Sequence, residues 1–215
     1  MPSLFLKGVL ETIYMTLAST AIAYGFGLPM GIILECTKAK GLLENLWVHK
    51  ILSALINIFR SVPFIILLML VQPLTRLITK TTIGSTATIV PLSIAAIPFI
   101  ARLVQSSLQE VDQGVIEAAT SMGATPKLII TQVLLVEARP SLLTNAVIAL
   151  TTVLGYTAMA GFVGAGGLGS IAVNYGYYRS NYPMMLMAVG LLIIVVQVFQ
   201  EVGLKIAHHL NRKKQ

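Results

Sequence analysis

An all-α integral membrane protein with five transmembrane helices is the fold class this sequence predicts, and three observations carry it. Hydrophobic residues form 56% of the 215-residue chain and charged residues only 11%, against about 45–50% and about 25% in soluble domains. The apolar residues are gathered into blocks long enough to cross a bilayer. No segment shows the apolar–polar alternation of a half-buried strand, so helices are the spanning element. The chain reads as a single transmembrane domain over residues 1–215, with membrane lipid as its surroundings. Its net charge of +7 comes from Lys and Arg that flank the apolar blocks. No basic patch is interleaved with aromatics, which argues against a nucleic-acid partner.

The spans follow from the charge-free windows. The first runs from Thr12 to Leu34, between Glu11 and Glu35, and is long enough to cross ~30 Å of hydrocarbon at about 1.5 Å per residue. It exceeds the apolar core of a signal peptide and has no clear small-residue cleavage site, so it is expected to stay in the mature protein. The second lies at about 52–74 and contains Arg60; the third is at 81–101, between Lys80 and Arg102. The next charge-free run, Pro140 to Tyr178, is too long for one helix. Its glycine-rich second half predicts a helix end near Ala160, giving a fourth span at about 141–160. The fifth covers about 182–203.

Lysine and arginine set the direction. With the N-terminus outside, the cytoplasmic segments hold ten basic residues: Lys38, Lys40, Lys50, Arg102, Lys127, Arg139, Lys205, Arg212, Lys213 and Lys214. The external segments hold four, Lys7, Arg76, Lys80 and Arg179. The bias predicts an N-out, C-in protein and places the long loop at about 102–139 in the cytoplasm.

A loop of that length implies structure of its own. Asp112 is placed to N-cap a short helix that carries Val115, Ile116 and Ala119 on one side. Gly123 is placed to stop it in the left-handed region. Thr125 is placed to cap the next helix, with Pro126 at its first position, where a missing N–H costs nothing. That second helix, "PKLIITQVLLVE", is apolar enough to lie along the membrane face. Glu117, Ala118 and Ala119 then sit at the tip, one charge and two small residues. The tip reads either as a docking knob or as a solvated hairpin without a partner.

The stretch "EAATSMG" resembles the EAA loop of ABC-importer permeases. Glu117, Ala118, Ala119, Gly123 and Leu135 match that pattern, Val133 replaces an isoleucine, and Val136 stands where the family has proline. "NIFRSVPFIILL", "PFIARLVQSSLQEV", "MGATP" and "GYTAMAGFVGAGGLG" extend the likeness over nearly the whole chain, to the permeases of bacterial methionine importers. The resemblance implies a type I importer fold and a homodimer of five-helix subunits. It also implies two cytoplasmic ATP-binding subunits and an external substrate-binding lipoprotein. ATP and Mg would be used by the partner ATPase, with no cofactor on this chain. The ATPase contact would fall on Glu117, Ala118, Ala119, Met122, Gly123, Ala124 and Thr125, within a coupling region at about 115–126.

Arg60, Pro63, Tyr156 and Met159 are the candidate pathway residues. A central arginine costs ~2.5–3.5 kcal/mol on insertion scales, so Arg60 should face protein or water, unless it snorkels to the cytoplasmic interface from near the inner end of its span. Pro63 loosens the helix one turn later. Met159 brings a flexible thioether suited to a constriction, or simply packs against lipid or core. Gly164, Gly166 and Gly169 spell a formal G-x-G-x-x-G, but a membrane helix precedes it and the next acid is Glu201. A nucleotide site is therefore rejected in favour of close packing and non-helical backbone at the external mouth. Cys36 is the sole cysteine and reads as a small apolar residue. His49, His208 and His209 lack partners at ligand spacing, so no metal is assigned. No catalytic constellation and no Walker A sequence is present. The expected function is a non-enzymatic, ATPase-driven permease for methionine. Another amino acid or a small polar metabolite is the alternative substrate, and an ATPase-independent channel or carrier is the alternative class.

Overall fold

The computed structural model describes residues 2–212, with side chains through 207 and at 209. Lys213 and Lys214, which entered the charge count, lie outside the described residues, as do the side chains of His208 and Arg212. Every regular element among the described residues is helical. Four helices are long and apolar enough to cross a membrane, and a bent pair raises the number to five.

Helix α1 (Pro2–Thr37) is 36 residues long and exceeds the expected span of 12–34 at both ends. Glu11 does not end it, because the carboxylate is held: it accepts from the Gly167 N–H at 2.7 Å and lies 3.7 Å from Lys7 Nζ. The buried hydroxyls of Thr12 and Thr16 donate back to carbonyls one turn earlier, at 2.8 Å each, so these polar groups are satisfied inside an apolar helix.

The expected second span at 52–74 is not one helix. Asn45 caps α2 (Leu46–Ser61). Val62 is then extended, as the residue before a proline is forced to be. Pro63 begins a separate helix, α3 (Phe64–Leu70), bent 102° from α2. Helix α4 (Gln72–Thr79) follows and ends at Lys80 in the left-handed region, φ +63°.

The third span also shifts. Residues 81–84 are irregular, and α5 (Ser85–Gln109) passes through Arg102, so the loop starts at Glu110 rather than at 102. Arg102 is tolerated because α2 receives its guanidinium: Nη2 donates to Ser53 Oγ at 2.5 Å and Asn57 Oδ1 at 2.9 Å. Its Nη1 donates to Gln105 Oε1 at 2.7 Å.

Helix α6 (Gln113–Ser121) is followed by α7 (Pro126–Leu128), a π-helical turn at Ile129–Leu134, and α8 (Leu135–Glu137). Helix α9 (Arg139–Ala160) follows, 22 residues long. The glycine-rich segment has the expected non-helical backbone only at 164–166, where Gly164 and Gly166 have positive φ. After a 3-10 turn at Gly161–Val163, residues 167–177 are helical, as α10 (Gly167–Ile171) and a π-helical continuation Ala172–Tyr177. Helix α11 (Tyr182–Arg212) is longer than the expected 182–203 and packs on α9.

The frame is α1 laid along α5, with α9 against both. Two glycines allow the approach. A Cβ at Gly31 would sit 2.6 Å from the Ala101 carbonyl oxygen, and one at Gly27 2.8 Å from Ile100 Cγ2. Ala23, Ala96, Ile100, Val104, Leu108, Leu134 and Val153 fill the joint core, which ties the π-helical turn to α5 and α9.

Candidate coupling surface and pathway cavity

The hairpin at 110–138 is built as its capping residues predict. Asp112 accepts from the Gly114 N–H at 2.7 Å, Thr125 Oγ1 accepts from the Leu128 N–H at 3.4 Å, and Pro126 opens α7. Gly123 has φ +81° and no atom within 4 Å of where a Cβ would stand. The turn is closed by backbone bonds from the Gly123 N–H to Thr120 O (2.9 Å) and the Ala124 N–H to Ala119 O (3.1 Å). Ile129 and Leu134 are buried beneath it, and Ile116 packs on the main core.

The tip residues separate into two groups. Glu117, Ala118, Gly123 and Thr125 are exposed, Met122 is 82% exposed, and Ala124 is half-buried. Ala119 is 5% exposed. Its small side chain belongs to the inside of the hairpin rather than to the tip surface, where the sequence reading put it beside Ala118. An alanine is needed there because α6 lies against the π-helical turn.

The four candidate pathway residues do not form one cluster. Arg60 and Tyr156 line the same cavity of about 230 Å³, between the α2–α3 break, α5 and α9. Tyr156 stacks on Phe64, with ring centroids 4.7 Å apart and planes 7° from parallel. Pro63 stands at the break itself, exposed, and creates the cavity by turning α3 away from α2. Met159 is 50% exposed and does not line the cavity.

Arg60 lies in the last turn of α2, just before the break at Val62 and Pro63. It shares its cavity with Phe99 and Ala95, near the middle of α5. From Phe99 to the end of α5 at Gln109 is about 15 Å of helix at 1.5 Å per residue, farther than an arginine side chain extends. The Arg60 guanidinium therefore stays at its cavity and does not reach the loop end of α5.

Three polar assemblies escaped the sequence reading. Glu11 and Thr12 grip the glycine segment, the latter by accepting from the Leu168 N–H at 2.9 Å. Ser53, Asn57 and Gln105 surround Arg102. Asn145 of α9 donates to Ser107 Oγ of α5 at 2.7 Å. An asparagine in an apolar span is a signal that could have exposed the last. The pairings in the others depend on tertiary approach.

Comparison with known proteins supplies the family. The model of the binding-protein-dependent transport system inner membrane component matches residues 27–204. A probable D-methionine transport system permease protein MetI of Vibrio cholerae is 50% identical over 200 residues, covering 93% of this chain and 89% of that protein. One of the same description from Pasteurella multocida is 43% identical over 204 residues, covering 95% and 94%. Among solved structures, an inward-facing conformation of the MetNI methionine ABC transporter superposes with a TM-score of 0.94 at 46% identity, over 96% of this chain and 95% of that one. The matched residues hold the α5–α9 frame, the exposed hairpin and the cavity together, and the chain belongs to the family of inner membrane components of binding-protein-dependent transport systems.

Proposed function

We propose that this chain is the permease of an ATP-driven methionine importer. It works as a homodimer with two cytoplasmic ATP-binding subunits that use ATP and Mg, and with an external methionine-binding lipoprotein. The N-terminus faces outward and the hairpin faces the cytoplasm, as the ten-to-four charge bias favours. The names of the relatives from Vibrio cholerae and Pasteurella multocida, and of the MetNI structure, support methionine as the substrate.

The observation that carries the mechanism is the hairpin: an exposed tip on a buried base, continuous with two long helices. Helix α5 enters it through Glu110–Asp112 and α9 leaves it after Ala138. A push on Glu117, Ala118 and Met122 is therefore transmitted to α5 and α9 and to the cavity between them. ATP binding need only favour one tilt of that pair by a few kcal/mol of differential contact to alternate access.

An affinity-tagged chain should copurify with an ATPase subunit. With the binding protein, it should drive ATP-dependent methionine uptake in proteoliposomes. Competition by unlabelled amino acids defines the substrate: stronger competition by a different solute replaces methionine, and transport without any ATPase replaces the importer by a carrier.

A further inference from the structure

Arg60 is the one charged residue in a cavity otherwise lined by Phe59, Val62, Phe64, Leu67, Ala95, Phe99 and Tyr156. Its charge has no counter-ion in reach of these helices. No Asp or Glu occurs from Leu46 to Gln109, nor from Ala138 to Gln200, so α2 to α5 and α9 contain none. The three ion pairs among the described residues are elsewhere. The neighbouring cation, Arg102, is spread over Ser53, Asn57 and Gln105 and adds positive potential one turn of α2 away. Arg60 is exposed to this cavity; an arginine without an acidic partner in a membrane-spanning segment is expensive, and it is suited to an anion that visits.

The rest of the cavity defines the visitor. Its volume of about 230 Å³ is below the roughly 300–1,000 Å³ of drug-sized pockets, so it takes one small solute. A guanidinium offers a planar fork that matches a carboxylate. The Phe64–Tyr156 stack offers ring edges, which attract thioether sulfur at about 5 Å.

We propose that this cavity is a carboxylate subsite within each permease subunit. Arg60 receives the carboxylate of a small amino acid in transit, and the stacked aromatic pair receives its apolar or thioether side chain. The inference rests on the importer reading above and adds a station along its path.

The test is local and independent of the external binding protein. In the purified permease–ATPase complex carrying Cys36→Ser and Val62→Cys, the rate of maleimide labelling reports occupancy of the cavity. L-Methionine should slow labelling saturably, while methioninamide, which lacks the carboxylate, should protect about tenfold more weakly, the scale of a lost charge-assisted bond. Adding Arg60→Gln should abolish protection by methionine, and Arg60→Lys should keep a weakened form of it. Equal protection by methioninamide, undiminished protection in Arg60→Gln, or no protection by methionine overturns the subsite. The comparison of the two ligands needs no arginine variant, so it holds even if Arg60→Gln does not assemble. Uptake is measured in parallel with the reconstituted transporter. Uptake without protection removes the subsite and leaves the importer. Protection without uptake keeps the subsite and removes the importer.

Discussion

Gly123 and Ala118 separate two ways of damaging one hairpin. At Gly123 the surroundings are open but φ is +81°, so Gly123→Val is costly through its backbone alone, by about 1–2 kcal/mol. The turn angle should be lost without any clash. At Ala118 the backbone is ordinary and the side chain is exposed, so Ala118→Trp should leave the hairpin folded and overfill a partner's groove. Disrupting the centre of an interface costs about 2 kcal/mol or more at hot spots. Both variants should insert at parental levels, yet lose the copurifying ATPase or uncouple its hydrolysis from uptake. Parental ATPase retention and parental uptake in both would reduce the hairpin to a solvated turn. Ala119→Trp is a poor probe of docking, since Ala119 is buried and its replacement would damage the hairpin first.

At the scale of the element, one acid joins α1 to the glycine segment. Gly166 and Gly167 have φ of +86° and +73°, and the N-terminal amides of α10 would be unsatisfied without Glu11 and Thr12. A Cβ on Gly166 would stand 2.7 Å from Glu11 Oε2, and one on Gly167 2.7 Å from Thr12 Oγ1, so the glycines are what let the clamp close. Glu11→Ala should cost about 1–2 kcal/mol, the scale of a lost helix cap, and lower the thermal midpoint of the purified complex. Glu11→Gln, which keeps an acceptor oxygen, should recover part of the loss. An unchanged midpoint in Glu11→Ala would show that the clamp contributes nothing to stability.

For the whole molecule, two things set the direction of coupling: which ends lie together, and which side of the membrane each faces. The structure answers the first. Leu4 and Phe5 pack with Tyr175 and Met184 in one cluster, so the start of α1 and the turn before α11 share an end. The hairpin lies at the other end, beside the C-terminal turn of α1, with which it lines a groove. The charge bias answers the second as an expectation, and labelling tests it. In a Cys36→Ser background, Ser3→Cys and Ser180→Cys should react with an impermeant thiol reagent in intact cells. Lys127→Cys in the hairpin should react only after permeabilisation. Labelling of Lys127→Cys in intact cells would invert the molecule and place the hairpin out of reach of a cytoplasmic ATPase.

The sequence by itself determined the all-helical membrane class, the hairpin with its caps at Asp112, Gly123 and Thr125, and the family likeness. These rest on local physics: hydropathy over a window, a capping side chain two or three residues from its amide, a glycine where φ is positive. Only the tertiary structure decided where charge is tolerated. Glu11 and Arg102 looked like span boundaries because a lone charge is costly in lipid. Each lies inside a helix, since a distant segment satisfies it: Gly167 for the one, Ser53 and Asn57 for the other. The sequence also placed Pro63 beside Arg60 without showing that the break there turns the chain by 102°. That turn brings Arg60 to Tyr156, almost a hundred positions away, at the middle of α5. Partners this far apart in the chain are set by how helices pack, and no window of sequence contains that information.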